Sequence, residues 1–285
     1  MITKDQFQKE LDLIIANAIR EDVGDGDHSS LACIPETATG KAKLLVKDEG
    51  VIAGIAFAKQ VFEYVDSDLT IETLILDGEE VKHGDIAFYV EGSSQSILKA
   101  ERLVLNAMQR MSAIATKTKQ YVTLLEGTQT KILDTRKTTP GIRALEKWAV
   151  KIGGGENHRF ALYDMIMLKD NHIDFAGGIT KAILKTQQYL SDTKRDLKII
   201  VEARNLNEVE EILETKGVYR ILLDNFDYEE TKKAVALIGN QCLTESSGGI
   251  NESTIREYAL CGVNYISSGA LTHSVHNMDL SLKAV

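Results

Sequence analysis

The chain has 285 residues, with 33 Lys and Arg against 42 Asp and Glu, for a formal net charge of −9. That balance excludes a general nucleic-acid binder, which needs surplus cations to replace phosphate counterions. Hydrophobic residues make up 44% and charged residues 26%, too apolar for a disordered chain, and two prolines leave no proline-rich linker.

Length and composition favour one large α/β domain, or a barrel with a smaller companion. Cys33, Cys242 and Cys261 are widely spaced and contain no C-x-x-C pair, so they suggest neither a disulfide framework nor a zinc site. Residues 1–21 alternate charged and apolar positions without a signal-peptide core, and the apolar run 51–58 is far too short to span a membrane. The expectation is a cytoplasmic protein that engages neither membrane nor nucleic acid.

Phe7, Leu11, Ile14, Ile15 and Ala18 recur on one helical face, and an Asp/Gly-rich loop follows at 21–30. Residues 41–47 read as a strand, 54–64 as a helix, and 71–76 and 86–90 as strands separated by Asp77-Gly78 and His83-Gly84 turns. Together they predict an α+β unit with a small sheet. Residues 97–126 are nearly free of helix breakers and predict one long helix that contains a domain junction.

After Lys131, short apolar runs alternate with amphipathic stretches, the pattern of successive βα units on a parallel sheet. Six strands are predicted, at 131–133, 165–168, 197–201, 219–223, 241–244 and 263–267. An eight-unit barrel takes about 250 residues, so a barrel here has fewer strands, with a doubly wound sheet as the alternative. The predicted division is 1–110 for the N-terminal domain, with 275–285 free to pack back on it, and 111–274 for the barrel.

Each predicted strand is followed by chemically capable residues: Asp134-Thr135-Arg136-Lys137, Lys169-Asp170-Asn171-His172, Glu202, Asp224-Asn225, Glu245-Ser246-Ser247-Gly248-Gly249 and Ser268-Gly269-Ala270. In parallel α/β folds the C-terminal strand ends share one face, where active sites are built. Polar residues also mark ordinary turns, but six consecutive strand ends with cations and carboxylates segregated by strand favour a site. Residues 131–172 carry eight Lys and Arg against five Asp and Glu, a local cationic excess suited to a small anionic ligand. Arg136, Lys137, Arg159 and Lys169 are the expected ligand contacts, whereas Arg143, Lys147 and Lys151 read as helix-surface charge.

Glu202 and Asp224 end consecutive strands and could share a hard cation such as magnesium, with structural hydrogen bonding an equal alternative. The Ser247-Gly248-Gly249 turn, with Asn251 as expected N-cap of a following helix, could present backbone N–H groups to a phosphate, and Gly269-Ala270 could complete the cradle. No G-x-G-x-x-G or P-loop sequence is present. His273 and His276 lack a third metal ligand, Glu21, Asp22, Asp25 and Asp27 read as a turn, and Trp148 reads as core.

The stretches Glu101–Asn106, Leu133–Gly141, Gly153–Arg159 and Leu168–His172, continued in order by Leu222–Asn225, Glu245–Gly249 and Ser268–Ser274, resemble the quinolinate phosphoribosyltransferase family, also called nicotinate-nucleotide pyrophosphorylase (carboxylating). The match runs along essentially the whole chain. The resemblance implies an N-terminal α/β sandwich, a C-terminal α/β barrel of fewer than eight strands, and a homodimer with shared active sites, higher assembly left open. It implies conversion of quinolinate and phosphoribosyl pyrophosphate to nicotinate mononucleotide, pyrophosphate and carbon dioxide in NAD biosynthesis, with Mg2+. By carry-over, Arg136, His158, Arg159 and Lys169 would surround quinolinate, with Arg102 supplied by the other subunit. Lys137, Glu202 and Asp224 would serve phosphoribosyl pyrophosphate and its magnesium, and Ser247, Gly248, Gly249 and Gly269 would hold its phosphate. Lys137, Lys169, Glu202 and Asp224 would be catalytic.

Two departures stand out: Ala113, where the family usually has glycine, and Ala203-Arg204 after Glu202, which leaves the charge beside the metal open. The competing readings are a nicotinate or molybdenum-associated phosphoribosyltransferase, a Schiff-base aldolase using Lys169, and a catalytically silent ligand-binding scaffold.

Overall fold

The computed structural model describes residues 2–285. They form two compact units, the first comprising residues 2–119, 137–154 and 271–285, the second residues 120–136 and 155–270.

The first unit opens with α1 (Lys4–Val23), started by a capping box in which Thr3 Oγ1 accepts the Gln6 N–H at 3.2 Å and Gln6 Oε1 accepts the Thr3 N–H at 2.9 Å. Leu11, Ile14 and Ile15 form its buried face. In α2 (His28–Cys33) the N-cap is Asp27, so the acidic cluster contains a helix start as well as a turn. Next come β1 (Thr39–Val46), β2 (Gly50–Val51), α3 (Ile55–Val65), β3 (Thr70–Thr73), β4 (Glu80–Val81) and β5 (Ile86–Ser93). The Asp77 carboxylate accepts the Ile55 and Ala56 N–H groups at 2.8 and 3.0 Å, capping α3 from a distant turn.

Alternation along β1 buries Ala42, Leu44 and Val46. Phe62 of α3 meets Phe88 of β5 edge to face at 6.0 Å, which seats the helix on the sheet. The long α4 (Ser94–Leu124) carries Met108, Met111 and Ile114, all fully buried.

The parallel part consists of β6 (Lys131–Leu133), α5 (Arg143–Ile152), β7 (Ile166–Leu168), α6 (Asp170–Ala176), α7 (Ile179–Thr193), β8 (Ile199–Ala203), α8 (Leu206–Thr215), β9 (Arg220–Asp224), α9 (Tyr228–Ile238), β10 (Leu243–Ser247), α10 (Ile255–Leu260), β11 (Tyr265–Ser267) and α11 (Ala270–His273), before the antiparallel β12 (Leu280–Ala284). The six strands of the second unit order as β6-β11-β10-β9-β8-β7, all neighbours parallel. This is an incomplete α/β barrel. On the free side of β6, Glu156 forms a single parallel bridge with Leu133 and extends the sheet by one residue.

The two compact units divide α4 between Lys119 and Gln120, and residues 137–154 group with the first unit. The packing of α5 accounts for that grouping. Trp148 stands edge to face with Phe7 at 5.6 Å, and a Cβ on Gly153 would strike the Ala115 carbonyl oxygen. Residues 271–285 also belong to the first unit, whose sheet runs β12-β1-β5-β3 with Ala42 opposite Ala284 and Val46 opposite Leu280. Among the described residues, no helix is long and apolar enough to cross a membrane.

Candidate active site

Register builds the site in the parallel unit. Glu202 pairs with Leu222, Leu222 with Glu245, and Asp224 with Ser247. Side chains two residues apart on a strand share a face, so Ile200, Leu222 and Glu245 lie on the face that carries Glu202, Asp224 and Ser247 further along. Met167, Ile200 and Leu222 pack together as an apolar layer. Two residues beyond Met167, the same direction leads to Lys169. Lys169, Glu202, Asp224 and Ser247 thus form one polar row at the C-terminal strand ends, above an apolar floor.

Within that row, Lys169 Nζ donates to Glu202 Oε2 at 3.0 Å, and the Asp170 N–H donates to Oε1 at 3.4 Å. Glu202 is buried, whereas the Lys169 side chain is 48% exposed. Burial, then the nearby Glu202 charge, raises the Asp224 pKa above its ordinary value against the opposing effect of the Asn225 hydrogen bond at 2.8 Å. Among the described residues, no three His, Cys, Asp or Glu side chains cluster as a self-sufficient metal cage. A pair of carboxylates fits a hard cation that keeps waters and substrate phosphates as its other ligands.

Arg204, which left the local charge open, turns outward. Its guanidinium pairs with Glu208 at 2.7 Å and Asp174 at 3.4 Å, so its charge is already matched.

Arg159 is buried and donates to the Met165 carbonyl at 3.3 Å. Burial, then the charge of Arg136, lowers its pKa, which puts the two guanidiniums within electrostatic range of each other.

His158 is placed deeper than a surface ligand. Its N–H donates to Asp134 Oδ1 at 2.8 Å, Nδ1 accepts the Arg159 N–H at 2.6 Å, and Nε2 lies 3.4 Å from the Glu245 carboxylate. Fully buried Glu245 also accepts from Arg220 at 2.6 Å. Burial by itself would raise the Glu245 pKa, but His158, Arg220 and Ser267 outweigh it and hold the pKa at about 2. Asp134, Arg220 and Glu245 carry no assigned role in the sequence reading. A charged residue inside an otherwise buried strand, as in Leu243-Thr244-Glu245, was the available signal.

The turn after β10 has Gly248 at φ +103° and Gly249 at φ +63°, which only glycine adopts freely. Asn251 does not cap the next helix: its side chain closes the turn through the Ser253 N–H at 2.9 Å, and α10 begins after Thr254. Gly269 lies two residues beyond Ser267 of β11. Arg102, exposed on α4, and Lys137 belong to the first unit. Lys147, read as surface charge, is buried because the apolar-rich face of α5 continues through Glu146, Lys147, Ala149 and Val150.

The profile of the "Quinolinate phosphoribosyl transferase, N-terminal domain" matches residues 27–112 and that of the C-terminal domain residues 114–283. The chain is 46% identical over 285 residues to "Quinolinate phosphoribosyltransferase [decarboxylating] 1b" of Nicotiana tabacum, covering 95% of this chain and 81% of that protein. It is 38% identical over 273 residues to the "Probable nicotinate-nucleotide pyrophosphorylase [carboxylating]" of Bacillus subtilis, covering 96% and 93%. The crystal structure of NadC from Streptococcus pyogenes superposes with a TM-score of 0.89 at 38% identity over 100% of this chain and 99% of that one. Human nicotinic acid phosphoribosyltransferase, at 13% identity and a TM-score of 0.62, shares the fold alone. The polar row on an incomplete barrel, the paired arginines and these likenesses lead to one conclusion: the chain belongs to the quinolinate phosphoribosyltransferase family.

Proposed function

We propose the following division of labour for the family's reaction. The enzyme is a decarboxylating quinolinate phosphoribosyltransferase of NAD biosynthesis, and its substrates are quinolinate and phosphoribosyl pyrophosphate. Arg136, Arg159 and Lys169 receive the two quinolinate carboxylates, His158 orders the segment that carries Arg159, and Arg102 of the partner subunit completes the pocket in a homodimer. Lys137, Glu202 and Asp224 engage the pyrophosphate end, while Ser247, Gly248, Gly249 and Gly269 hold the phosphate. The observation that carries this reading is the single row of Lys169, Glu202, Asp224 and Ser247 set by strand register.

The bond between ribose C1 and pyrophosphate breaks as the pyridine nitrogen bonds to C1, and Lys137 stabilises the departing negative charge. The quaternised nitrogen then draws the electron pair left at C2 when carbon dioxide departs, and that carbon takes a proton. Fixed cations make the diacid's burial affordable, since unpaired charges are costly to desolvate. Glu202 and Asp224 would hold magnesium through their carboxylate oxygens, and the ion would supply Lewis-acid neutralisation of the pyrophosphate charge. An organic cofactor has no task in this scheme.

Lys169 Nζ donates to the buried Glu202 carboxylate at 3.0 Å, which engages the nitrogen that an aldolase would use as its nucleophile. Three cations assigned to one substrate, Arg136, Arg159 and Lys169, favour a diacid over nicotinate. A cytoplasmic location is supported by Cys33, Cys242 and Cys261, all free thiols.

Purified protein incubated with quinolinate, phosphoribosyl pyrophosphate and magnesium should release carbon dioxide and form nicotinate mononucleotide in equal amounts, with nicotinate a poor acceptor. Preference for nicotinate, or product without carbon dioxide, would overturn the assignment. Omitting magnesium should abolish turnover, and sedimentation should give a dimer.

A further inference from the structure

The segment 137–139 has no helix or strand to support it, yet each of its residues is tied down. The Lys137 carbonyl accepts from Thr272 Oγ1 at 2.8 Å. Thr138 Oγ1 accepts from Arg143 Nε at 2.9 Å. Thr139 donates twice to the Glu146 carboxylate, through its N–H at 3.0 Å and its hydroxyl at 2.8 Å. Thr139 also precedes Pro140, which restricts its backbone to extended conformations.

Glu146 is wholly buried on α5. Besides Thr139, it accepts from Arg110 Nε at 3.0 Å, with Nη2 of the same guanidinium 2.9 Å away. Arg110 Nη2 also donates to the Thr272 carbonyl, and Thr272 is itself fully buried. Arg110, Glu146, Thr139, the Lys137 backbone and Thr272 therefore form a closed ring within the first unit. A buried carboxylate with four donors is satisfied, but an apolar replacement of the pair would serve stability as well or better. What the ring provides is location: through the Lys137 carbonyl it fixes the backbone from which the exposed Lys137 side chain projects.

We propose that Glu146, Arg110 and Thr272 are positioning residues that fix Lys137 for the pyrophosphate end of the substrate. The inference rests on the assignment of Lys137 made above. Aiming a flexible lysine requires a fixed Cα, since a misplaced catalytic group loses much of its effect.

The test uses the full-length enzyme with Glu146→Gln, Thr139→Val, Thr272→Val and Lys137→Ala. In Glu146→Gln and Thr272→Val, KM for phosphoribosyl pyrophosphate should rise about tenfold or more, the effect of losing a charge-assisted or buried hydrogen bond. The Kd of quinolinate, measured without phosphoribosyl pyrophosphate, should stay within about twofold. Thr139→Ser and Thr272→Ser should restore the wild-type KM. In a Lys137→Ala background, Thr272→Val should add nothing further, because the residue being aimed is gone.

Equal loss of affinity for both substrates, or unchanged KM in folded variants, overturns the proposal. So does a full additional loss in the Lys137→Ala background. If Glu146→Gln does not fold, the two threonine variants decide the matter. Lys137→Ala with a normal KM for phosphoribosyl pyrophosphate would remove the Lys137 assignment itself, whereas a defective Lys137→Ala beside unaffected ring variants would remove only the ring's role.

Discussion

Lys169 Nζ and Glu202 Oε2 lie 3.0 Å apart, so a lysine proposed for quinolinate is bonded to a carboxylate proposed for the pyrophosphate end. Lys169→Met keeps much of the stem and removes the charge. Turnover per unit KM should fall about 100-fold or more, because a substrate carboxylate and Glu202 lose the same partner. Steady-state kinetics with quinolinate varied checks this, and a loss below about threefold would dismiss Lys169 as a contact.

Arg159→Ala removes a buried guanidinium that bears on Arg136. Quinolinate binding should weaken by roughly 2–5 kcal/mol. Calorimetric titration with quinolinate alone measures it. Phthalate, the same diacid without the ring nitrogen, should lose affinity in parallel if the arginines read carboxylates.

At φ +103°, Gly248 leaves no room for a methyl group, which would overlap the Asn225 side-chain amide and sit 3.0 Å from the Asn225 backbone nitrogen. Asn225 in turn donates to Asp224 at 2.8 Å. Gly248→Ala should therefore cost about 1–2 kcal/mol of backbone strain and weaken phosphoribosyl pyrophosphate binding by displacing Asp224. Thermal unfolding and KM measured on one preparation would show both, and a wild-type KM would sever the link to Asp224.

Glu245, with its pKa held at about 2, ties acid stability to the barrel interior. Its folded pKa lies below its ordinary value, so its contribution is full above that value and fades as pH falls from about 4.5 towards 2. Glu245→Gln should cost about 3–5 kcal/mol at neutral pH, since Arg220 and His158 remain without the carboxylate. The gap between variant and wild type should narrow in urea melts taken at successively lower pH. A gap independent of pH would contradict the ion-pair account.

Complementation tests the proposed sharing of sites. Arg102→Ala and Lys169→Ala subunits, each inactive as homodimers, should recover part of the activity when mixed and refolded together. No recovery in verified heterodimers would confine the site to one chain.

The six parallel strands were legible because each is a short apolar run between turn-formers, and observed starts and ends differ from the predicted ones by three residues at most. The chemistry at their ends was legible for the same reason. Register was not: nothing in the sequence says that Glu202 sits opposite Leu222 or Asp224 opposite Ser247, and these pairings make scattered residues into one row. Burial of charge was also hidden, since Glu146 and Lys147 look like helix-surface residues until Arg110 and Thr139 surround Glu146. β2 and β4, with two residues each, carry too little pattern to be read. Leu280–Ala284 alternates over too few positions to signal that it completes a distant sheet.

That last strand has a kinetic consequence. Because β12 covers one edge of β1, the antiparallel sheet cannot close while the chain is still being made through the parallel segment. A nascent molecule therefore displays an open β edge, with Ala42, Leu44 and Val46 beneath it, for the whole time its second unit is emerging. Truncation before Leu280 would make that transient state permanent, trading a folding delay for a standing invitation to aggregate.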